Sequence, residues 1–194
     1  MASIPEDLKS PIPIVSDFYN QFPFPSESIR QDSSFDLDWR YCVECVYGAF
    51  SGSLGPLVRE GRKLRILDAG CGAGVSTNLL AHLNPNSYIL GIDISKKSIS
   101  IAKDRLESVK ADMGLVVDFK NINLLDISNN NSFDYINSIG LLNHISEPLK
   151  GLIKMEQLLA PGGVMHLSLH SKLGRIEIQR FQEFLTYMDF GATK

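Results

Sequence analysis

The fold is decided by residues Leu64–Gly74, which read LRILDAGCGAG. The stretch up to Asp68 is mostly apolar and is followed by a turn, which predicts a buried strand that ends in a carboxylate. Gly70, Gly72 and Gly74 follow at alternate positions, and glycine lets a backbone turn sharply and approach a ligand closely. Because ligands of open α/β sheets bind outside the carboxyl ends of strands, this loop is the predicted binding site.

Helix-like and strand-like segments alternate through the rest of the chain. Helical periodicity recurs over residues 75–83, 95–109, 148–159 and 173–187. Short apolar runs lie at residues 88–92, 115–119, 133–138 and 164–169, the last one after a predicted turn at Pro161-Gly162-Gly163. The alternation predicts an α/β fold with a doubly wound parallel sheet of five strands in the order 3-2-1-4-5.

The first 34 residues are predicted to form an arm, and residues 35–194 the main domain. Five of the nine prolines lie in this N-terminal arm, which disfavours a long regular element there. Its aromatic residues, Phe18, Tyr19, Phe22 and Phe24, suit either packing on the domain surface or a flap over a ligand pocket. Both interpretations stay open at this point.

A helix is predicted over residues 36–50, where apolar side chains form a broad face. It contains a lone C-x-x-C pair, Cys42 and Cys45, with no further ligands at zinc-site spacing nearby. We interpret both as ordinary packing cysteines, because a free cysteine behaves as a small buried hydrophobe. No metal site is predicted.

The composition disfavours several other classes of protein. The 194 residues carry a net charge of −3, which argues against binding nucleic acid or anionic membrane through charge alone. No apolar run approaches the roughly 18–20 residues of a membrane span, and no signal peptide is predicted. Three cysteines do not suggest a disulfide framework, so a cytoplasmic location is expected.

A second carboxylate, Asp93, ends the second predicted strand after Gly91 and Ile92. An acid at that place can accept hydrogen bonds from both hydroxyls of a ribose. A dinucleotide fingerprint would need a further glycine where Val75 or Thr77 stands, and a pyrophosphate disfavours a carboxylate such as Asp68 beside it. The pattern therefore favours a nucleoside with a positively charged arm, which Asp68 would face.

The chain resembles the class I S-adenosylmethionine-dependent methyltransferases over residues 64–171. The motifs that carry the resemblance are Asp68-x-Gly70-x-Gly72-x-Gly74, Gly91-x-Asp93, Phe133-Asp134, Gly140–Ile145 and Leu159–Gly163. The segments Phe18–Pro25 and Leu169–Lys172 also resemble a bacterial branch whose methyltransferase unit accompanies tetratricopeptide repeats. The resemblance implies a Rossmann-like fold, S-adenosylmethionine as cofactor, S-adenosylhomocysteine as product, and a small molecule or protein as acceptor.

The resemblance also implies roles for individual residues. Asp68 and the backbone of Ala69, Gly70, Cys71 and Gly72 would hold the methionine moiety of the cofactor. The remaining implied cofactor contacts are Asp93 on the ribose, Ile94 and Leu124 beside the adenine, Asn123 (favoured over Asp126) on its exocyclic amine, and Ile139 in the pocket wall.

Methyl transfer is an in-line displacement, so proximity and orientation supply most of the catalysis. A general base is needed only where the acceptor must lose a proton. His144 and His170 follow the fourth and fifth strands, at the edge where substrates lie, and are the candidate bases. The alternative is that each is a structural histidine or a pocket wall.

The family sheet usually has seven strands with a closing hairpin, and that hairpin is missing from the five predicted strands. The fifth strand would then be an edge with unpaired backbone groups. Another chain, a dimer partner or the N-terminal arm would cover it, or the sequence is a fragment. Two other functions remain as alternatives: a catalytically silent module that binds cofactor or partner, and a nicotinamide-dependent oxidoreductase.

Overall fold

A computed structural model describes residues 12–25, 38–51, 63–85, 87–110, 116–128, 132–171 and 173–188. Within these residues the strands are β1 (Leu64–Ala69), β2 (Ser87–Asp93), β3 (Val116–Asn121), β4 (Phe133–Ile139) and β5 (Leu159–Ser168). All neighbouring pairs are parallel, in the order β3-β2-β1-β4-β5. The predicted α/β fold and strand order are confirmed.

Six helices lie within the described residues, and helices pack on both faces of this sheet. They are α1 (Ile12–Gln21), α2 (Val43–Ser51), α3 (Val75–Leu83), α4 (Lys96–Lys110), α5 (Pro148–Leu158) and α6 (Ile176–Tyr187). Single 3-10 turns lie at Trp39–Tyr41, Leu124–Asp126, Leu142–His144 and Leu173–Arg175. The turns after β3 and β4 stand at the carboxyl edge of the sheet, where a ligand of an open α/β fold binds.

Two apolar clusters form the core, one on each face of the sheet. Side chains alternate along β1, so Ile66 lies in the cluster with Val43 of α2 and Leu80 of α3. Leu67 points the other way, into the cluster with Met155 of α5. Each of these five side chains is fully buried, which fixes the glycine loop at the end of β1 between two packed layers.

The N-terminal arm differs from its prediction. Residues Ile12–Gln21 form the ten-residue helix α1, so the expectation that the prolines exclude a long regular element is wrong there. Pro13 occupies the first turn of α1, where a backbone N–H has no helical partner to lose. The apolar spacing of the arm, rather than its proline content, decides the local structure.

The helix predicted over residues 36–50 is interrupted. Its first part is the 3-10 turn Trp39–Tyr41, Cys42 is extended, and α2 begins only at Val43, whose N–H donates to Asn84 Oδ1 at 3.0 Å. Cys42 is half-buried, but Cys45 is exposed, so the packing interpretation is wrong for Cys45. Residues 36 and 37 lie outside the described part of the chain.

Strand β5 begins earlier than predicted and contains the expected turn at 161–163. Its register against β4 is irregular between Phe133 and Tyr135, where Leu159 and then Val164 are the partners. The Tyr47 hydroxyl of α2 donates to the carbonyl of Gly162 at 2.9 Å, which holds this irregular segment. The predicted turn therefore lies inside β5 as an irregular segment that Tyr47 supports from α2.

Among the described residues β5 pairs only with β4, so its outer backbone edge is unpaired there. The described part of the N-terminal arm does not lie along it. Val164 packs on one core cluster and Met165 and Leu167 on the other. The apolar side chains of β5 thus pack on the faces of the sheet and do not cover its edge.

Gly74 packs closely against α4. It has a φ of +85°, and a Cβ there would lie 2.8 Å from Ala102 Cβ and 2.9 Å from Ala102 Cα of α4. Gly74→Ala should lower the free energy of unfolding by roughly 2–4 kcal/mol, through positive φ and overpacking together. Gly140→Ala is the matched control, because Gly140 has a φ of +75° and an open Cβ position. Equal losses in urea denaturation would refute the packing argument.

Candidate functional site

A cavity of about 900 Å³ opens at the carboxyl ends of the strands. Gly70 and Gly72 of the glycine loop line it, and so does Asp93 at the end of β2. Residues after β3, β4 and β5 supply further walls, and part of the N-terminal arm lies over it. The sheet order brings these segments to one edge, although they are far apart in the sequence.

Asp93 is tied to the glycine loop by its own carboxylate. Oδ2 accepts the N–H of Gly72 at 3.0 Å, and Oδ1 accepts the N–H of Ser95 at 2.7 Å. Burial raises the pKa of Asp93, and these backbone N–H groups act in the opposite direction. Each carboxylate oxygen keeps a further lone pair, so Asp93 can still accept two hydroxyl groups from the cavity.

Asp68 does not line the cavity, which corrects the expectation that it faces a cationic arm of the ligand. Its carboxylate is 1% exposed and already has three donors. Ser76 Oγ and Thr77 Oγ1 of α3 donate to Oδ2 at 2.7 and 2.6 Å, and Asn137 Nδ2 of β4 donates to Oδ1 at 2.8 Å. Asp68 therefore fastens α3 and β4 to the end of β1.

The side-chain alternation of β1 contained a signal for this outcome. Ile66 points toward the α3 face of the sheet, so the side chain two positions later points to the same face. Ser76 and Thr77 in the first turn of α3 provide hydroxyl donors on that face. A carboxylate on this side of β1 lies within reach of the helix hydroxyls, so Asp68 binds α3 and not a ligand.

Every backbone N–H in the glycine loop is used inside the protein. Gly70 and Cys71 both donate to Ile92 O at 2.9 Å, and Gly72 donates to Asp93. Ala73 donates to Phe24 O at 3.0 Å, and Gly74 donates to Cys71 O at 2.9 Å. The loop therefore has no N–H left to bind a phosphate, while its carbonyl groups retain lone pairs that can accept from an ammonium.

Ala69 and Cys71, two other predicted cofactor contacts, are buried and do not line the cavity. Burial, with the charges of Asp68 and Asp93, raises the pKa of the Cys71 thiol well above its ordinary value. This thiol therefore stays protonated. Both residues can contribute only backbone groups, which is the role that the family resemblance implies for them.

The remaining predicted cofactor contacts all line the cavity: Ile94, Asn123, Leu124 and Ile139. Asp126, the alternative to Asn123, does not line it. Asn123 Oδ1 accepts the N–H of Leu125 at 3.1 Å, which fixes the side chain at the start of the 3-10 turn Leu124–Asp126. The structure thus favours Asn123 of the two candidates.

The N-terminal arm lies over the cavity and is held there by hydrogen bonds to the loop between β2 and α4 and to the first turn of α4. Ser16 Oγ donates to Ile94 O at 3.3 Å, and Asn20 Oδ1 accepts from Ser95 Oγ at 3.0 Å and Lys97 N at 3.2 Å. Phe18, Tyr19, Phe22 and Phe24 of the arm all line the cavity. Of the two interpretations left open, the structure favours the flap.

Both candidate bases, His144 and His170, line the same cavity. His144 Nε2 lies 3.1 Å from the hydroxyl oxygen of Tyr19, and the two rings meet edge to face. Burial, followed by the charges of His170 and Arg175, lowers the pKa of His144. Arg175, at the end of the 3-10 turn Leu173–Arg175, also lines the cavity and was not predicted as a site residue.

Neither a membrane-spanning helix nor a cluster of metal ligands occurs in the described ranges of the chain. In those ranges no helix is long and apolar enough to cross a membrane. No three His, Cys, Asp or Glu side chains come together there as possible ligands of one metal ion.

Comparisons with known proteins give relatives in sequence and in structure. A family model described as "Methyltransferase domain" matches residues 60–188. An uncharacterised protein of Synechococcus sp. is 36% identical over 175 residues, which cover 90% of this chain and 40% of that protein. The ubiquinone biosynthesis O-methyltransferase of Cereibacter sphaeroides is 31% identical over 127 residues, covering 64% of this chain and 48% of that enzyme.

Two solved structures have the same fold. PKMT2 from Rickettsia typhi in complex with AdoHcy superimposes with a TM-score of 0.62 at 27% identity, over 76% of this chain and 29% of that one. Magnesium protoporphyrin IX methyltransferase from Synechocystis PCC 6803 with bound SAH gives a TM-score of 0.62 at 21% identity, over 90% and 79% of the two chains. This second likeness supports the fold alone.

The chain spans less than half the length of the two sequence relatives named above. The association with tetratricopeptide repeats stays a prediction. S-adenosylmethionine is the cofactor of the family whose motifs, sheet order and carboxyl-edge cavity are found here. The chain belongs to the methyltransferase domain family, in the class I, Rossmann-like group that depends on S-adenosylmethionine.

Proposed function

We propose that this chain transfers a methyl group from S-adenosylmethionine to an acceptor held in the same cavity. The observation that carries the proposal is the hydrogen bonding of the glycine loop. All five N–H groups from Gly70 to Gly74 have internal partners, so the loop suits a cationic ligand and does not suit a pyrophosphate. This also counts against a nicotinamide dinucleotide as the ligand.

Different lining residues suit different parts of the cofactor. Asp93 has free lone pairs for the ribose hydroxyls, and Ile94 and Leu124 offer apolar surface to the adenine. Asn123 stands where it can bond the exocyclic amine. Asp68 has an indirect role, because it positions β1 and α3 without touching the cavity.

When bound, the cofactor supplies an electrophilic methyl group on a sulfonium. As the bond from sulfur to methyl breaks, a bond from the acceptor atom to methyl forms, and the thioether product is S-adenosylhomocysteine. The protein contributes orientation and exclusion of water. The aromatic side chains of the N-terminal arm, which cover the cavity, serve that second role.

His144 is the candidate general base for an acceptor that must lose a proton. Its lowered pKa keeps the ring uncharged at neutral pH, so one ring nitrogen has a lone pair for that proton. The Tyr19 hydroxyl at 3.1 Å fixes the orientation of the ring. His170 lines the same part of the cavity and is a second candidate.

Radiolabelled methyl transfer into a cell extract tests the proposal and reports whether the label enters small molecules or protein. The wild-type chain should transfer label. Gly70→Arg should abolish transfer, because the new side chain would project beside the cavity. Gly162→Arg is the control with the same positive φ, outside the cavity and with an open Cβ position. If the folded wild-type chain transferred no label, the result would favour the catalytically silent alternative. The comparisons do not support that alternative.

The pH dependence of kcat provides a separate prediction. Because the pKa of His144 is lowered, kcat should be level near neutral pH and fall only as the pH drops through a value below the ordinary 6.5 or so. His144→Gln should reduce kcat by roughly 100-fold or more and remove this acid limb. His82→Gln, on α3 and away from the cavity, is the control. An unchanged profile in His144→Gln would make His144 a pocket wall.

A further inference from the structure

The acidic and basic side chains that line the cavity are unevenly distributed. Asp93 is the only acid among the described lining residues, whereas His144, His170 and Arg175 are three basic ones. They follow different strands: Asp93 ends β2, His144 follows β4, and the other two follow β5. Since parallel strands lie about 4.8 Å apart, three strand intervals separate Asp93 from the end of β5 by roughly 14 Å.

Arg175 has no carboxylate within salt-bridge distance among the described residues. Its neighbours on α6 differ, because Arg180 pairs with Glu177 at 3.4 Å. A guanidinium at the wall of a cavity presents a planar fork of donors that matches a carboxylate. The imidazole of His170 lines the same region and provides an additional donor.

The surface next to these basic groups is aromatic and apolar. Tyr19 meets His144 edge to face at a ring separation of 5.6 Å, and Leu141 and Ile145 line the cavity on either side of the 3-10 turn that carries His144. Such walls favour a planar or apolar body. A ligand there would have its anionic group toward β5 and its body against the N-terminal arm.

We propose that the methyl acceptor is a planar molecule that bears a carboxylate, and that Arg175 with His170 binds this carboxylate. The proposal rests on the methyltransferase function proposed above and adds the chemical class of its acceptor. Arg175 and His170 are thus specificity residues, while the cofactor occupies the side of the cavity near Asp93. The reacting atom of the acceptor would face His144.

The test uses benzoate and benzamide, which share a planar ring and differ in the charge of the substituent. Both are titrated by ligand-observed NMR into the full chain saturated with S-adenosylhomocysteine. Benzoate should bind at least about tenfold more tightly than benzamide, as a charge-assisted bidentate contact requires. Arg175→Gln should abolish this preference, and Arg175→Lys should retain part of it. Arg180→Gln, on the adjoining helix α6, should leave it unchanged.

The outcomes separate this inference from the function on which it rests. Equal binding of benzoate and benzamide, or an unaltered preference in Arg175→Gln, would overturn it. Phenyl phosphate binding more tightly than benzoate would also overturn it, in favour of a phosphate-bearing acceptor. Failure of S-adenosylhomocysteine to bind would refute the methyl-transfer proposal, and the benzoate titration into the free chain would still decide the carboxylate subsite.

Discussion

Asp93→Ala is expected to weaken the binding of S-adenosylhomocysteine by about 100-fold. Two hydroxyl donors to a charged acceptor are lost, each worth about 1.5 kcal/mol or more, and 1.4 kcal/mol corresponds to a factor of ten. The Gly72 and Ser95 N–H groups also lose their acceptor, so the glycine loop loses one of its links to β2. Isothermal titration calorimetry measures the change directly.

Two variants make this result specific. Asp93→Asn keeps one acceptor oxygen and should lose about tenfold in affinity, since a neutral acceptor makes weaker hydrogen bonds. Asp118→Ala changes an exposed carboxylate on β3, which accepts a hydrogen bond from the Tyr88 hydroxyl outside the cavity, and should leave the affinity unchanged. Unaltered affinity in Asp93→Ala would show that the ligand does not use the end of β2.

Asp68→Ala is expected to have the largest effect on stability. Three donors, Ser76 Oγ, Thr77 Oγ1 and Asn137 Nδ2, lose a buried acceptor, and each unsatisfied group costs about 1–3 kcal/mol. We expect the free energy of unfolding to fall by about 3–5 kcal/mol in urea denaturation. Asp104→Ala, an exposed site on α4, is the control. A loss below about 1 kcal/mol would contradict the bracing role.

The pH dependence of this effect has a defined sign. Burial raises the pKa of Asp68 in the folded state, although its three donors act in the opposite direction. A raised folded pKa means that the part of the stability linked to protonation of Asp68 is fully present below its unfolded pKa and is lost as the pH rises through the folded one. The wild-type chain should therefore lose stability relative to Asp68→Asn as the pH rises from acid to neutral.

The sequence was sufficient for the sheet because its signals there are local and repeated. Leu64–Gly74 combines an apolar strand with a glycine turn, and apolar runs alternating with helical periods then determine parallel pairing and strand order. Strand β5 was only partly predicted. Its bulge depends on Tyr47 of α2, more than a hundred residues earlier, which no local pattern around Gly162 reveals.

The site was predicted in location and only partly in detail. Asp93 and Asn123 follow strands at the correct edge, so topology alone places them in the cavity. Asp68 was assigned to the ligand because a carboxylate at the end of β1 suits a cation, but hydrogen-bond donors from α3 and β4 occupy it. The contribution of α1, and the contact of Tyr19 with His144, required the tertiary structure because 125 positions separate the two residues.

The most direct test is a calorimetric titration of the full wild-type chain with S-adenosylhomocysteine, with NADH titrated in parallel. The glycine loop has no free N–H between Gly70 and Gly74, and Asp93 retains lone pairs toward the cavity. We therefore predict one molecule of S-adenosylhomocysteine bound per chain and no binding of NADH. Binding of NADH without binding of S-adenosylhomocysteine would contradict the account.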